Sequence, residues 1–295
     1  MTTARSHAAA EIEAQPSAWL RAIDLAPTLQ DVLPQPGERV AVIGCGTSWF
    51  MAESYAVLRE QSGQGETDAF AASELPAGRR YDRLLAITRS GTTTEVLDAL
   101  SGSRVRRTVL TADPTTPVAG VADDCVGLDF ANEESVVQTV FATTALMLLR
   151  GSLGLQGLDA VVKQAEDLLS ADKQVEPARQ YTFLGAGWAH GVAREAALKM
   201  REAAQLWTEA YPQMEYRHGP IAIAEPGRAV WVFGEPVAGL LDDLAATGAG
   251  VVCDDLDPVA DLVRAQLLAV RQAESRGLDP DRPRHLTRSV VLDAS

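Results

Sequence analysis

The stretch VAVIGCGTSWFMAESYAVLRE, residues 40–60, decides the fold of this chain. It opens with an unbroken apolar run, which is typical of a parallel strand buried on both faces. The turn Gly44-Cys45-Gly46 and a helix-forming segment follow the run directly. YTFLGAGWAHGVAREAALKM, residues 181–200, repeats the strand, the Gly-x-Gly turn and the helix about 141 residues later, which indicates a duplication on the scale of a domain.

Strands and helices alternate around these two copies. RLLAITRSGTTTEVLDAL, residues 83–100, again predicts a strand, a Ser/Thr/Gly turn and a helix. Such alternation is typical of parallel βαβ units with right-handed crossovers, so we expect an α/β protein. Further strands are predicted at 66–70, 106–113, 125–130, 229–236 and 248–255, and further helices at 5–24 (interrupted near Gln15-Pro16), 135–153, 158–169, from 195 to a break at Tyr211-Pro212, and 258–277.

The pattern also predicts how the chain is divided. The second copy is shorter after Asp255, as though one strand–helix unit were trimmed. The Pro- and Arg-rich tail turns apolar, so we expect it to return to the body as a lid or strand. The expected segments are an N-terminal helical segment at 1–35, a first α/β domain at 36–154, a helical connection at 155–178, a second α/β domain at 179–277 and a tail at 278–295.

Composition excludes several kinds of partner. A net charge of −14 and a pI near 4.7 argue against nucleic acid and against anionic membrane surfaces, because both favour an excess of Lys and Arg. No apolar stretch approaches the roughly 18 residues of a membrane span, and no signal-peptide pattern opens the sequence. The three cysteines and four histidines lack ligand spacing. We therefore expect a cytoplasmic protein without metal or cofactor.

Two hydroxyl-rich turns follow neighbouring predicted strands. One is Gly44-Cys45-Gly46-Thr47-Ser48, and the other runs from Thr88 to Thr94. Glycine lets the backbone approach an anion, hydroxyls donate to it, and the next helix directs free amides at it. Either turn alone is as well explained by helix capping, for example with Thr47 as N-cap, but the pair favours an anion site. A dinucleotide fits poorly because Trp49 stands where a third glycine belongs.

A charged helix face precedes a histidine loop in EAALKMREAAQLWTEAYPQMEYRHGP, residues 195–220. Glu195, Lys199 and Glu202 are spaced i, i+4 and i+7, so they share one face, and His218 lies in the loop. A solvated face with Glu–Lys pairing is the simpler interpretation of the helix in isolation. Together, however, these groups would supply an acid, a base and an electrophile.

In this order and spacing, the motifs resemble the sugar isomerase (SIS) family, duplicated as in the isomerase half of glucosamine-6-phosphate synthase. They look closest to stand-alone amino-sugar phosphate deaminase/isomerase proteins. The resemblance implies two tandem SIS domains, each a flavodoxin-like parallel sheet in an α-β-α sandwich. It covers nearly the whole chain and rests on Glu11-Ile12, Gln15-Pro16, Gly44–Ser48, Ala72–Leu75, Arg89–Thr93, Ala196–Lys199 with Glu202, Glu209–Tyr211, Glu215 with His218-Gly219-Pro220, and the tail Arg284–Val290.

The resemblance also implies a role for each motif residue. Glu202 would move a proton between C1 and C2 of the sugar, with Lys199 assisting and Glu195 supporting it. His218 would open the sugar ring and would enter the site from a neighbouring subunit, which makes the protein a homodimer. The residues that would bind the substrate phosphate are Gly46, Thr47, Ser48, Thr88, Arg89, Ser90, Thr93 and Arg288.

The implied function is aldose–ketose isomerisation of a hexose 6-phosphate, in particular an amino sugar, with or without loss of ammonia. Ring opening suits a histidine that titrates near neutrality, and enolisation suits a carboxylate base beside a cation. Two departures favour an alternative, a non-catalytic phosphosugar sensor. Arg288 replaces a tail lysine that forms a Schiff base in the family, and Val140 replaces a basic residue. Guanidinium cannot form that adduct, although it can still pair with phosphate.

Overall fold

The chain folds around two parallel β-sheets. A computed structural model describes residues 5–171 and 175–292. The expected segments 1–35, 155–178 and 278–295 also include 1–4, 172–174 and 293–295, which lie outside the described residues. Among the described residues, the first sheet has five strands and the second has four.

The strands of the first sheet are β1 Val40–Gly44, β2 Thr67–Ala71, β3 Arg83–Thr88, β4 Arg106–Thr111 and β5 Asp124–Gly127. Those of the second are β6 Tyr181–Gly185, β7 Thr208–Pro212, β8 Ala229–Phe233 and β9 Gly250–Val252. The helices are α1 His7–Leu25, α2 Thr47–Gln61, α3 Thr94–Ser101, α4 Val140–Ser152, α5 Leu158–Ser170, α6 Ala189–Ala204, α7 Gln213–Tyr216, α8 Leu240–Thr247 and α9 Pro258–Ser275.

Both sheets are wholly parallel and have corresponding strand orders. The first runs β2-β1-β3-β4-β5 and the second β7-β6-β8-β9. The first order is that of flavodoxin-like sheets, in which ligands bind beyond the carboxyl ends of the strands. Every residue of the central strands β1, β3, β6 and β8 is buried, as their unbroken apolar runs predict. The α/β class is confirmed, and the shorter second sheet agrees with the trimmed unit that the sequence suggests.

The main hydrophobic core lies between the two sheets. Its members run from Val42 and Leu85 of the first sheet, through α1, α2, α4, α6 and α9, to Phe183 and Trp231 of the second. Separate small cores cover the outer faces, where α3 packs on the first sheet and α8 on the second. The helices between the sheets therefore belong to both halves of the chain at once.

The same steric constraint requires glycine in both Gly-x-Gly turns. A Cβ on Gly44 would lie 2.6 Å from the carbonyl carbon of Ser48, and one on Gly185 would lie 2.3 Å from the carbonyl oxygen of Ala189. In each copy the strand end therefore touches the first turn of its helix, and only glycine fits. The second glycine of each turn, Gly46 or Gly187, has φ of +54°, a left-handed conformation that favours glycine.

The predicted interruption of the first helix is wrong, because α1 continues through Pro16. A proline inside a helix removes the N–H that would bond to the carbonyl four residues earlier. Here the side-chain Nε2 of Gln15 donates to that carbonyl, the Ile12 oxygen, at 3.2 Å. The same Nε2 also donates to Gln266 Oε1 at 2.7 Å. The Gln15 side chain thus replaces the hydrogen bond that Pro16 cannot make, and the helix continues without a break.

The predicted helix at 135–153 begins later, at Val140. The buried carboxylate of Glu133 accepts hydrogen bonds from the backbone N–H groups of Thr139 at 2.5 Å and Val140 at 2.6 Å. A carboxylate at this position satisfies free amides and complements the helix dipole. The five residues before Val140 are therefore held as a loop.

Three further boundaries differ from expectation. Thr47 is the first residue of α2 and Gly46 its N-cap, so Thr47 is not the cap residue. The helix predicted to run from 195 to a break at Tyr211-Pro212 ends at Ala204, and Thr208–Pro212 pairs with β6 as an edge strand. Helix α8, Leu240–Thr247, has no counterpart among the predicted helices.

Gly185→Ala is expected to lower the free energy of unfolding by about 1–3 kcal/mol, because its Cβ would overlap backbone atoms that cannot move away. Urea unfolding followed by circular dichroism measures this change. Gly120→Ala is the matched control, because nothing lies within 4 Å of its Cβ position and it should change stability little. Equal effects of the two substitutions would contradict the close-contact explanation.

Candidate active site

A cavity of about 220 Å³ lies at the carboxyl edge of the first sheet, where β1 and β3 end. This is the position at which flavodoxin-like sheets bind ligands. The cavity brings together both hydroxyl turns, the α6 carboxylate and the C-terminal tail. The predicted site residues that line it are Gly46, Thr47, Ser48, Thr88, Arg89, Ser90, Thr93, Glu202 and Arg288.

The turn after β3 leaves hydroxyls and amides around the cavity. Ser90 Oγ lies 3.5 Å from Thr93 Oγ1 and accepts from the Thr92 N–H at 3.3 Å. Gly91 has φ of +62°, and its N–H donates to Thr88 Oγ1 at 3.3 Å. These long, weak hydrogen bonds leave the donors free for a better acceptor. The arrangement suits an anion held by hydroxyls and the first turn of α3.

Arg89 is positioned differently from the other predicted phosphate ligands. Its buried guanidinium donates to the backbone oxygens of Ser135 at 3.0 Å, Val136 at 3.1 Å and Arg288 at 3.2 Å. Its ion pair with the buried Glu133 measures 3.8 Å. Arg89 therefore ties the loop before α4 to the tail, and most of its hydrogen-bonding capacity is already used.

The tail closes the cavity as a strap. The Thr94 N–H donates to the Val290 oxygen at 3.2 Å, and Thr92 Oγ1 donates to Ser289 Oγ at 3.0 Å. Arg288 donates to Asn132 Oδ1 at 2.5 Å and also to the Glu133 carbonyl. The expected return of the tail to the body is therefore observed in the described residues up to 292, and the strap lies across the turn after β3.

Three charged groups of α6 form a buried chain that ends in the cavity. Lys199 Nζ contacts the carboxylate of Glu202 and lies 3.5 Å from Glu195 Oε1. The side chain of Glu202 is 18% exposed, whereas those of Lys199 and Glu195 are 2% and 1% exposed. Only Glu202 can therefore meet a ligand directly. The i, i+4 and i+7 spacing predicts that these three side chains share one face of the helix, and in the structure that face is buried.

Burial sets the charges of this chain of groups. It raises the pKa of the Glu195 carboxyl to about 8, despite the Lys199 ammonium beside it, and the Glu202 charge adds to the shift. Burial opposes the charge of Lys199 as well, but the two carboxylates outweigh it and raise the pKa of the ammonium group. At neutral pH the arrangement is therefore a Lys199–Glu202 ion pair with a protonated Glu195 beneath it.

His218 lies outside this cavity within its own chain. It is exposed and follows the short helix α7. The neighbouring Arg217 pairs through Nε with Asp243 at 2.8 Å. Of the twelve predicted site residues, the structure thus brings nine to the cavity wall, places Lys199 and Glu195 behind Glu202, and leaves His218 at the surface.

Sequence comparison and structure comparison point the same way. Glutamine–fructose-6-phosphate aminotransferase (isomerizing) of Gloeobacter violaceus is 27% identical over 320 residues, covering 87% of this chain and 52% of that protein. Glucosamine-6-phosphate deaminase of Thermotoga maritima has a structure with 26% identity and a TM-score of 0.82, covering 97% of this chain and 100% of that one. No protein-family model matches the chain.

A third match shows the fold. The C-terminal domain of glucosamine-fructose-6-phosphate aminotransferase from Francisella tularensis has a TM-score of 0.79 at 21% identity, over 95% of this chain and 99% of that one. The resemblance to the sugar isomerase (SIS) family is confirmed. The chain spans about half the length of the curated relatives it matches.

The SIS resemblance left two contributors to the site unassigned. Gln138 lines the cavity, and its Oε1 lies 3.4 Å from Ser48 Oγ, so it orients a hydroxyl of the first turn. Glu133 holds the start of α4 and faces Arg89. An acid seven residues before a helix carries no local signal, because its partners come from the loop conformation and from the turn after β3.

Two kinds of feature are absent from the described residues. No group of three or more His, Cys, Asp or Glu side chains in residues 5–171 and 175–292 is placed to hold a metal ion. Within the same ranges, no helix has both the length and the apolar character needed to cross a bilayer.

Glu195→Gln is expected to change how stability depends on pH. The folded-state pKa of Glu195 is raised to about 8, so its contribution is present at pH 4 and is lost as the pH rises towards 8. A neutral glutamine removes this loss. Relative to wild type, the variant should therefore gain up to about 1.4 kcal/mol per pH unit between pH 5 and 8.

Urea unfolding at several pH values measures this slope. Glu166→Gln on the exposed face of α5 is the control, and it should run parallel to wild type. A constant difference between Glu195→Gln and wild type from pH 5 to 8 would show that Glu195 is ionised in the folded protein.

Proposed function

We propose that the chain is a sugar-phosphate isomerase or amino-sugar-phosphate deaminase that acts on a hexose 6-phosphate. The observation that carries the proposal is the meeting of two hydroxyl-rich helix starts with Glu202 in one cavity. The similarity to a protein described as glucosamine-6-phosphate deaminase supports the amino sugar. Two tandem SIS domains, at 36–154 and 179–277, belong to the same proposal, and the corresponding strand orders support them.

The two hydroxyl-rich turns and the start of α3, which we call the phosphate cradle, would bind the phosphate of the substrate. The amides at the start of α3, together with the hydroxyls of Ser48, Ser90 and Thr93, would donate to the phosphate oxygens. This mode needs few basic groups, which suits a chain of net charge −14. Arg288 would add positive charge from the tail, although its guanidinium already contacts Asn132 and the Glu133 carbonyl.

The charged side chains of α6 would carry out the proton transfer. After ring opening, the Glu202 carboxylate would take the C2 proton of the open-chain aldehyde and return it to C1. Lys199 pairs with the Glu202 carboxylate and holds it in place, and its positive charge would stabilise the enediolate or enolamine. With a 2-amino sugar the product is an imine at C2. Water then adds to that imine, and ammonia leaves as the ketose phosphate forms.

A homodimer would bring the missing group to this site. His218 is exposed in its own chain, and a second pocket of about 410 Å³ opens beside Glu202. Trp207 lines that pocket and is 77% exposed, although tryptophan is highly buried on average. We assign this opening to the His218 loop of a second copy, which would then open the sugar ring.

Glu202→Gln is expected to remove turnover and to keep binding. Loss of a general base lowers the rate by about 100-fold to 10,000-fold, while the phosphate contacts remain. The assay incubates the protein with glucosamine 6-phosphate, galactosamine 6-phosphate or glucose 6-phosphate and measures ketose and ammonia. Thermal shift measures binding in parallel. Stabilisation by ligand without product in either protein would favour the sensor alternative.

Ser90→Ala is the companion variant for binding. Loss of one hydroxyl donor to a charged phosphate should weaken sugar-phosphate affinity by about 10-fold to 100-fold, because such hydrogen bonds contribute about 1.5–3 kcal/mol. Isothermal titration in the Glu202→Gln background gives this number without turnover. An unchanged affinity would place the phosphate elsewhere.

A mixture of two inactive variants tests the shared site. If His218 serves the partner's site, a dimer of one Glu202→Gln chain and one His218→Ala chain contains one intact site. Random reassociation of equal amounts should then restore about a quarter of wild-type activity, since half of the dimers are mixed. If His218 acts within its own chain, no mixed dimer has an intact site and activity stays at the level of the single variants.

A further inference from the structure

A second and larger cavity lies on the outer face of the first sheet. It has a volume of about 950 Å³ and runs between α3 and the segment 72–82. We call it the outer cavity. It is separate from the sugar-phosphate cavity, apart from one shared wall residue, Glu95. None of the SIS site motifs assigns residues to it except the Ala72–Leu75 segment at its edge.

Small residues create the space. Ala41 and Leu84 of the sheet form part of the lining, and Ala72, Ala99 and Gly102 leave room above them. Tyr81 also lines the cavity, and its hydroxyl is fixed by Asp68 Oδ2 at 2.7 Å. A floor of aliphatic groups beside a held aromatic ring is suited to a flat apolar or aromatic body.

Some charged side chains around the outer cavity already have ion-pair or hydrogen-bond partners, and others have none among the described residues. Arg79 is already paired with Asp68 at 3.1 Å, and Asp82 accepts from the Arg39 N–H at 2.8 Å. Arg80 and Arg104 are exposed, line the cavity, and have no ion-pair or hydrogen-bond partner among the described residues. In a chain of net charge −14, two unpaired arginines at one cavity point to an anionic group.

The two acidic side chains of α3 that line the outer cavity place a second requirement on its ligand. Glu95 Oε2 is buried without a hydrogen-bond partner among the described residues, and Asp98 faces the cavity from the next turn. A buried carboxylate oxygen without a partner is costly, so a ligand that brings an N–H or O–H donor would be favoured there. The ligand's anion and its donor would therefore bind at different ends of the cavity.

We propose that the outer cavity is a second ligand site, which binds a small anion with an apolar or aromatic body and one hydrogen-bond donor. Arg80 and Arg104 bind the acidic group, Tyr81 and the alanines hold the body, and Glu95 accepts from the donor. Because Glu95 lies in the first turn of α3, such a ligand contacts the helix whose start forms the phosphate cradle.

The probe for this site is 8-anilinonaphthalene-1-sulfonate, which has a sulfonate, an aromatic body and one N–H. Fluorescence titration of the folded chain gives its Kd. Arg80→Gln with Arg104→Gln should weaken binding by at least about tenfold, because two charged hydrogen-bond donors are lost. Ala99→Phe, which occupies cavity space and leaves both arginines in the chain, should weaken it to a similar extent.

Arg282→Gln is the matched control, since Arg282 is also exposed and unpaired among the described residues but lies outside the outer cavity. It should leave the affinity unchanged. Retained probe binding in both the double arginine variant and Ala99→Phe would overturn the proposal. So would a gel-filtration result in which the double variant becomes monomeric and the wild type does not, because the cavity would then be covered by a second copy.

Competition separates this site from the proposed function. Saturating glucosamine 6-phosphate should leave the probe bound, since the two cavities are distinct. Full displacement by glucosamine 6-phosphate would place the probe in the sugar-phosphate cavity and overturn the second site. The arginine and alanine variants report on the outer cavity even if the protein neither binds nor converts sugar phosphates, so the two proposals fail independently.

Discussion

The contact between α2 and α6 is the constraint on which the site depends. A Cβ on Gly191 would lie 2.3 Å from Ser54 Oγ and 2.4 Å from the Phe50 oxygen, so the helices meet at backbone distance. Arg194 fixes the same contact by lying over the Trp49 ring at 4.2 Å and by pairing with Glu53. Because α2 begins at one hydroxyl turn and α6 carries Glu202, this packing joins half of the chain to the other at the cavity.

That junction also explains how an acidic protein brings a carboxylate next to two hydroxyl-rich helix starts. The two helix starts direct positive dipole ends and free amides at the cavity, which reduces the need for basic side chains. Lys199 neutralises Glu202 from behind, and the raised pKa of Glu195 avoids a second buried charge. The electrostatic design therefore depends on backbone dipoles and burial more than on net charge.

Most of the fold is predictable because its signals are local. Unbroken apolar runs identify the central strands, and Gly44 and Gly185 mark the strand–helix turns through contacts within five residues. The predictions that were wrong also have physical causes. The continuity of α1 at Pro16 depends on the Gln15 side chain, the start of α4 depends on Glu133, and β7 is a strand because β6 lies beside it. Partners supplied by neighbouring side chains or strands leave no regular pattern in the sequence.

The sequence by itself determined the α/β class and the two strand–turn–helix segments at 40–60 and 181–200, because periodicity and turn chemistry act over short distances. Family resemblance added most of the residues that line the cavity at the carboxyl edge of the first sheet. Tertiary structure alone decided which of those residues face the cavity. It turned a helix stripe that resembles a solvated surface into a buried chain of three charges, directed Arg89 to backbone carbonyls, and left His218 outside. Burial and pairing depend on which helix packs against which, and here that is set by contacts between residues about 140 positions apart.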